Sequence, residues 1–139
     1  MFAGWYQAGF AMGLAGRRAD ALDETAKLGA NMLTMPTDIT DPQAVTALFD
    51  KTVTEYGRLD LLFNNAGYNS PFLPLEDLPW DELRTTLDIN ILGAMLCAGQ
   101  AMRIMKAQNP RSGRIINAGS QSAHMPRPLT AAYTKPHKE

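Results

Sequence analysis

Four polar clusters in this chain carry residue types suited to holding a ligand: Arg17-Arg18, Thr37-Asp38, Asn64-Asn65, and the stretch 117–122 that holds Asn117, Ser120 and Ser122. In the Asn64-Asn65-Ala66-Gly67 turn, Ala66 and Gly67 lack bulk, so a ligand can lie against the backbone there. The two asparagines can tie down backbone groups that a strand end leaves unpaired. A plain polar turn is the competing reading. Arg17 and Arg18 stand where a helix opens, a position that slightly disfavours positive charge. An adjacent pair there invites an anionic partner, or is a solvated surface pair. Asp38 either serves its own turn or faces a ligand. Asn90 interrupts an apolar run between Ile89 and Ile91. Burying its amide without a partner would cost about 1–3 kcal/mol, so taken alone it reads as solvent-facing.

The elements that must position these residues alternate. Residues 9–15 (GFAMGLA) read as a short buried strand. Residues 17–28 follow as a helix, with Gly29 where it would stop. Residues 31–35 read as the next strand. Asp41 then caps a helix with Pro42 at its first position, apolar residues at Val45, Leu48, Phe49 and Val53, and Gly57 at its end. Residues 59–63 (LDLLF) form a strand that runs into the asparagine turn, and 68–79 hold three prolines and read as a loop. A long helix is predicted over 81–108, ended by Asn109-Pro110 and Gly113, and 114–117 (RIIN) make a fourth strand. Such alternation means parallel strands with helices on both faces. Each polar cluster falls after a strand's carboxyl end, where ligands of such sheets bind.

Composition sets limits. At 139 residues and 15.2 kDa the chain holds one domain, residues 1–139. Apolar residues at 45% and charged residues at 19% suit a globular protein rather than a disordered one. A net charge of −1 gives no electrostatic case for nucleic acid or a membrane surface as partner. The apolar stretch 1–16 is too short to span a bilayer, and its positive charges follow it instead of preceding it. The single cysteine, Cys97, lies beside an apolar run and reads as a buried inert thiol; a cytoplasmic location is expected.

In order, AGRR after the first strand, TDIT after the second, NNAG after the third, and IINAGS followed by Tyr133 resemble the short-chain dehydrogenase/reductase family of NAD(P)-dependent oxidoreductases. The resemblance covers nearly the whole chain and implies a single, partial NAD(P)-binding Rossmann domain: α/β, three-layered, with a doubly wound parallel sheet. It implies that Asp38 meets the adenine amino group with the backbone of Ile39, and that Asn65, Ala66 and Gly67 line the ribose. Gly16-Arg17-Arg18 holds no acid, which favours NADP over NAD. The resemblance also makes Asn90 the holder of a water in a proton relay. Ser120 and Tyr133, thirteen residues apart, become the catalytic pair acting on a small-molecule carbonyl or alcohol. Ser122 has the wrong spacing. The cofactor carries the hydride.

The pattern is broken in two places. The family sets a lysine four residues after the tyrosine, one helical turn away, to lower the phenol's pKa. Here that position is His137; Lys135 comes two residues early, Lys138 one late, and Pro136 disfavours a helix between them. The family also opens with a strand and a glycine-rich turn that meets the pyrophosphate. Residues 2–8 read instead as the tail of the helix after that turn, so the family's first strand, and its last strands, are expected to be missing. That first strand would lie between the first and third strands present here. The expectation is therefore an enzyme of this family truncated at both ends, with this chain itself inactive. The alternative is a non-catalytic remnant that pairs with another subunit, with self-association expected through the 81–108 region. A flavodoxin-like module is disfavoured by NNAG and the Ser120–Tyr133 spacing.

Overall fold

In the computed structural model, residues 8–120 and 128–129 are described. Ser122, Tyr133, Lys135, Pro136, His137 and Lys138 lie outside them.

Four strands form where alternation predicts them, as two parallel pairs. β1 (Met12–Gly16) pairs with β2 (Met32–Pro36), Met12 opposite Met32 and Gly16 opposite Pro36. β3 (Leu61–Asn64) pairs with β4 (Arg114–Asn117), Leu61 opposite Arg114 and Asn64 opposite Asn117. The boundaries move for identifiable reasons. Phe10 and Ala11 fall outside β1, whose Met12 amide bonds the Asn31 carbonyl at 2.9 Å. Leu59 is lost to β3 because the Gln108 side chain holds both its amide and its carbonyl, at 3.0 Å each. Asn64 belongs to the strand and not the turn, because the Ala118 amide donates to its carbonyl at 2.8 Å.

No backbone ladder joins the two pairs, which stand as separate two-stranded sheets among the described residues.

The first helix, α1 (Ala19–Ala26), is shorter than the predicted 17–28. Arg18 takes the N-cap position in extended conformation with no side-chain cap, since a guanidinium cannot accept the helix's free N–H groups. α2 (Pro42–Tyr56) obeys its signals: the Asp41 side chain accepts from the Gln43 amide at 2.8 Å, and Gly57 closes the helix at φ 75°. The predicted single helix over 81–108 is α3 (Trp80–Leu87), a π-helical turn (Asp88–Gly93) and α4 (Ala94–Ala107).

Two glycines of β1 show the layering. A Cβ on Gly13 would lie 2.8 Å from Met35 Cε and 3.6 Å from Thr52 Oγ1 of α2, whereas one on Gly16 would lie 3.7 Å from Leu22 Cδ2 of α1. Residues three apart on a strand face opposite sides, so α1 and α2 cover opposite faces of this pair. The Tyr56 hydroxyl also donates from α2 to the Met12 carbonyl at 3.2 Å. The core is where α2 meets α4: Val45, Phe49, Cys97, Ala101 and Met105 are buried together, with Leu62 and Ile115 of the second pair against them. Burial raises the Cys97 thiol pKa, as suits an inert core cysteine.

Candidate nucleotide-binding crevice

The carboxyl ends of β3 and β4 are joined by side chains. Asn64 Nδ2 donates to Asn117 Oδ1 at 2.9 Å and to the Ala94 carbonyl at 3.2 Å, tying both strand ends to the start of α4. A crevice opens beside this pair, lined by Asn64, Ala66, Asn90, Met95, Asn117 and Ala118. Asn65, Ala66 and Gly67 are all exposed in the turn that follows β3. Asn64, not Asn65, is the asparagine that lines the crevice wall.

Asn90 does not face solvent, so the reading of its amide in isolation is corrected. It lies in the π-turn, half-buried; its Oδ1 accepts from the Tyr68 amide at 2.7 Å, and its Nδ2 donates to the Tyr68 carbonyl at 2.9 Å. A side-chain amide matches a peptide group donor for acceptor, which offsets its desolvation. Gly67 packs next to it: a Cβ there would lie 3.6 Å from Asn90 Oδ1. The Tyr68 hydroxyl donates to Glu82 Oε2 at 2.6 Å, and that bond to a carboxylate is the main reason its pKa is raised.

The carboxyl end of β2 leads into a corner of its own, packed on the π-turn through Ile39. Thr37 is buried and its hydroxyl donates to the Met35 carbonyl at 2.9 Å, which steadies the corner. Asp38 is exposed, and its Oδ1 accepts from the Thr40 amide at 2.9 Å and the Thr40 hydroxyl at 2.8 Å. These bonds, the backbone one foremost, lower the Asp38 pKa, with a smaller contribution from the Arg17 charge. Arg17 and Arg18 are exposed where β1 gives way to α1. Ile39 is half-buried and packs on the π-turn, its Cδ1 2.8 Å from where a Cβ on Gly93 would lie. Ser120, half-buried, follows β4 by three residues.

The structure thus brings the predicted residues of the β2 and β3 ends together through the π-turn, and sets Ser120 just beyond β4. Asn117 belongs to the polar strand end that the sequence singles out. Sequence reading missed Tyr68, Glu82 and Gly93, which carry no local signal because their partners are distant in sequence. Chemically, the described crevice offers amide donors and acceptors and bare backbone, and the corner after β2 and the start of α1 add one ionised carboxylate and two exposed guanidinium groups. It is equipped to hold and orient a polar ligand. A separate, more apolar groove lined by Trp80, Leu87, Ile91 and Leu92 has only the Arg84–Asp88 pair at its rim, 3.6 Å apart. No helix among the described residues is long and apolar enough to cross a membrane.

The family model for short chain dehydrogenases matches residues 3–135. The cis-4-hydroxycyclohexanecarboxylate dehydrogenase of Sinomonas cyclohexanicum is 37% identical over 106 residues, 73% of this chain and 42% of that protein. Crystalline NAD+-bound xylitol dehydrogenase aligns with a TM-score of 0.80 at 34% identity, over 87% of this chain and 47% of that one. The NADH complex of 3-ketoacyl-(acyl-carrier-protein) reductase from Brucella melitensis has a TM-score of 0.90 at 23% identity, covering 95% of this chain and 55% of that one, and shares the fold. The chain spans about half the length of these relatives. The family match over residues 3–135, with the identity to these relatives, makes the chain a member of the short-chain dehydrogenase family, and its parallel strand pairs carry that family's fold.

Proposed function

We propose that this chain carries the adenosine-facing part of an NADP(H) site in an oxidoreductase that interconverts a small carbonyl and its alcohol. The observation that carries the reading is the exposed Ala66-Gly67 backbone beside the Asn64–Asn117 bridge, together with the Arg17 charge, which acts both on Asp38 after β2 and on Tyr68 after that turn. The residues present fit that end of the cofactor. Thr40 occupies Asp38 Oδ1 and keeps the carboxylate ionised, leaving Oδ2 for an amine such as that of adenine. Ile39 offers its backbone beside it, Asn65, Ala66 and Gly67 the surface for a ribose, and Arg17 and Arg18 charge for a 2′-phosphate. When bound, the nicotinamide supplies the hydride. Asn90 holds the turn after the ribose surface in place by its two bonds to Tyr68 and is assigned to the proton relay. Ser120 is assigned to hold the substrate oxygen, and Tyr133 to exchange its proton.

The 139 residues by themselves are proposed to be inactive. No glycine-rich run in them opens a helix to meet a pyrophosphate, and His137 stands where a lysine would lower the Tyr133 pKa. An exposed apolar groove, with Trp80 at 69% and Leu92 at 53% exposure, favours a second reading in which the chain works by association through its α3–α4 region.

The test of the cofactor assignment is a chimera with residues 8–120 replacing their counterparts in the Sinomonas relative. Saturable NADPH binding in preference to NADH is expected. Arg17→Asp should weaken NADPH about tenfold or more, the scale of one charged hydrogen bond. Equal preference before and after the substitution would discard the phosphate role.

A further inference from the structure

Among the described residues the two strand pairs share no backbone ladder, yet Ile39 beyond β2 and Tyr68 beyond β3 are both held by one turn, so contacts other than the sheet's set their separation. The contacts converge on the π-turn. At one end, Gly93 takes Ile39 against its bare Cα: a Cβ there would lie 2.8 Å from both Cγ1 and Cδ1 of Ile39 and 3.2 Å from its carbonyl oxygen. One of those contacts is backbone, which cannot swing aside as a side-chain tip can. Three residues earlier in the same turn, Asn90 grips the Tyr68 amide and carbonyl at 2.7 and 2.9 Å. Glu82, from α3, holds the Tyr68 hydroxyl at 2.6 Å. A π-turn is an uncommon local geometry, often found at functional sites. Here its six residues, Asp88–Gly93, contain both grips.

We propose that Gly93 is a positioning residue: through the π-turn it fixes the distance between the Asp38–Ile39 corner and the Asn65–Tyr68 turn. Any side chain at 93 pushes Ile39 and the π-turn apart. Because Asn90 is rigidly tied to Tyr68, that displacement reaches the turn after β3. The coupling runs both ways, since linkage between two sites is reciprocal. This inference is independent of the cofactor reading; the coupling is measurable with no cofactor present.

The experiment is amide hydrogen exchange on the 139-residue chain, with exchange at Tyr68 read relative to the α2 core amide of Phe49. Gly93→Ala is expected to speed exchange at Tyr68 about tenfold relative to Phe49, the scale of one inserted methyl in a packed site. Adding Ile39→Ala, which removes the opposing side chain, should bring the ratio back towards the parent value. Should Gly93→Ala alone fail to fold, Asn90→Ala tests the coupling from the other end, and the Thr40 amide should then exchange about tenfold faster relative to Phe49. A purely local packing role gives a different pattern: all amides shift together, and the Tyr68-to-Phe49 ratio stays at its parent value. That pattern, or a raised ratio that Ile39→Ala leaves unrelieved, overturns the proposal. So does an unchanged Thr40 ratio in Asn90→Ala.

Discussion

The helix layer and the strands it covers differ in how far each is finished. Where α2 meets α4 the packing is dry: Val45 is 1% exposed and Ala101 is fully buried. Parallel strands are normally buried on both faces. Here β3 has no fully buried residue, and β4 leaves Arg114, Ile116 and Asn117 exposed around a half-buried Ile115. A helix satisfies its own backbone and needs only one apolar stripe covered, so two helices and one strand face complete a core. A parallel strand depends on neighbours for its hydrogen bonds and on layers above and below for its side chains. The helix layer is therefore self-sufficient in these residues, and the sheet is not.

The sharpest way to break that contrast is a pair of truncations read by urea unfolding. Phe49→Ala removes a buried ring from the α2–α4 core and is expected to destabilise the chain by about 3–5 kcal/mol. Ile116→Ala trims a side chain of similar hydrophobic character from β4 and should stay within about 1 kcal/mol. Comparable losses at the two sites would mean that the sheet is as closed as the helix layer.

What the sequence made legible follows the same division. The start and stop of α2 were readable at Asp41, Pro42 and Gly57 because each acts on its own helix end, within a few residues. All four strands were found, and their shifts trace to distant partners: Gln108 takes Leu59 from 49 positions away. Asn90 looked solvent-facing because its partner, the Tyr68 backbone, lies 22 positions back. The π-turn left no trace in a period of apolar residues. No ladder joins β1 to β3 among the described residues, and the residues before Gly9, which read in the sequence as the tail of a helix, lie mostly outside that part. Tyr133 and the residues around it lie outside the described part, so their assignment rests on spacing and resemblance.

A smaller effect sharpens the picture of the crevice corner. The Thr40 bonds, aided by the Arg17 charge, hold the Asp38 pKa below its ordinary 3.8. As pH falls, the unfolded chain binds that proton before the folded one does. The contribution of Asp38 to stability is thus complete above its ordinary pKa and is lost as pH drops through the lower folded value. Comparing the parent chain with Asp38→Asn by thermal unfolding, the gap should be widest at neutral pH and close below the carboxylate range. The carboxylate is exposed, so the gap should be small beside that of Phe49→Ala. A gap that widened in acid would contradict the Asp38–Thr40 geometry.

The most direct measurement is a titration of the 139-residue chain with NADPH, followed by nicotinamide fluorescence and paired with turnover on small ketones and aldehydes. With no ladder between β1 and β3 among the described residues, no glycine-rich run in the sequence for a pyrophosphate and His137 four residues after Tyr133, we expect neither saturation nor turnover. Saturable binding at about micromolar concentration, an affinity near −8 kcal/mol, together with turnover lost on Tyr133→Phe, would contradict that expectation.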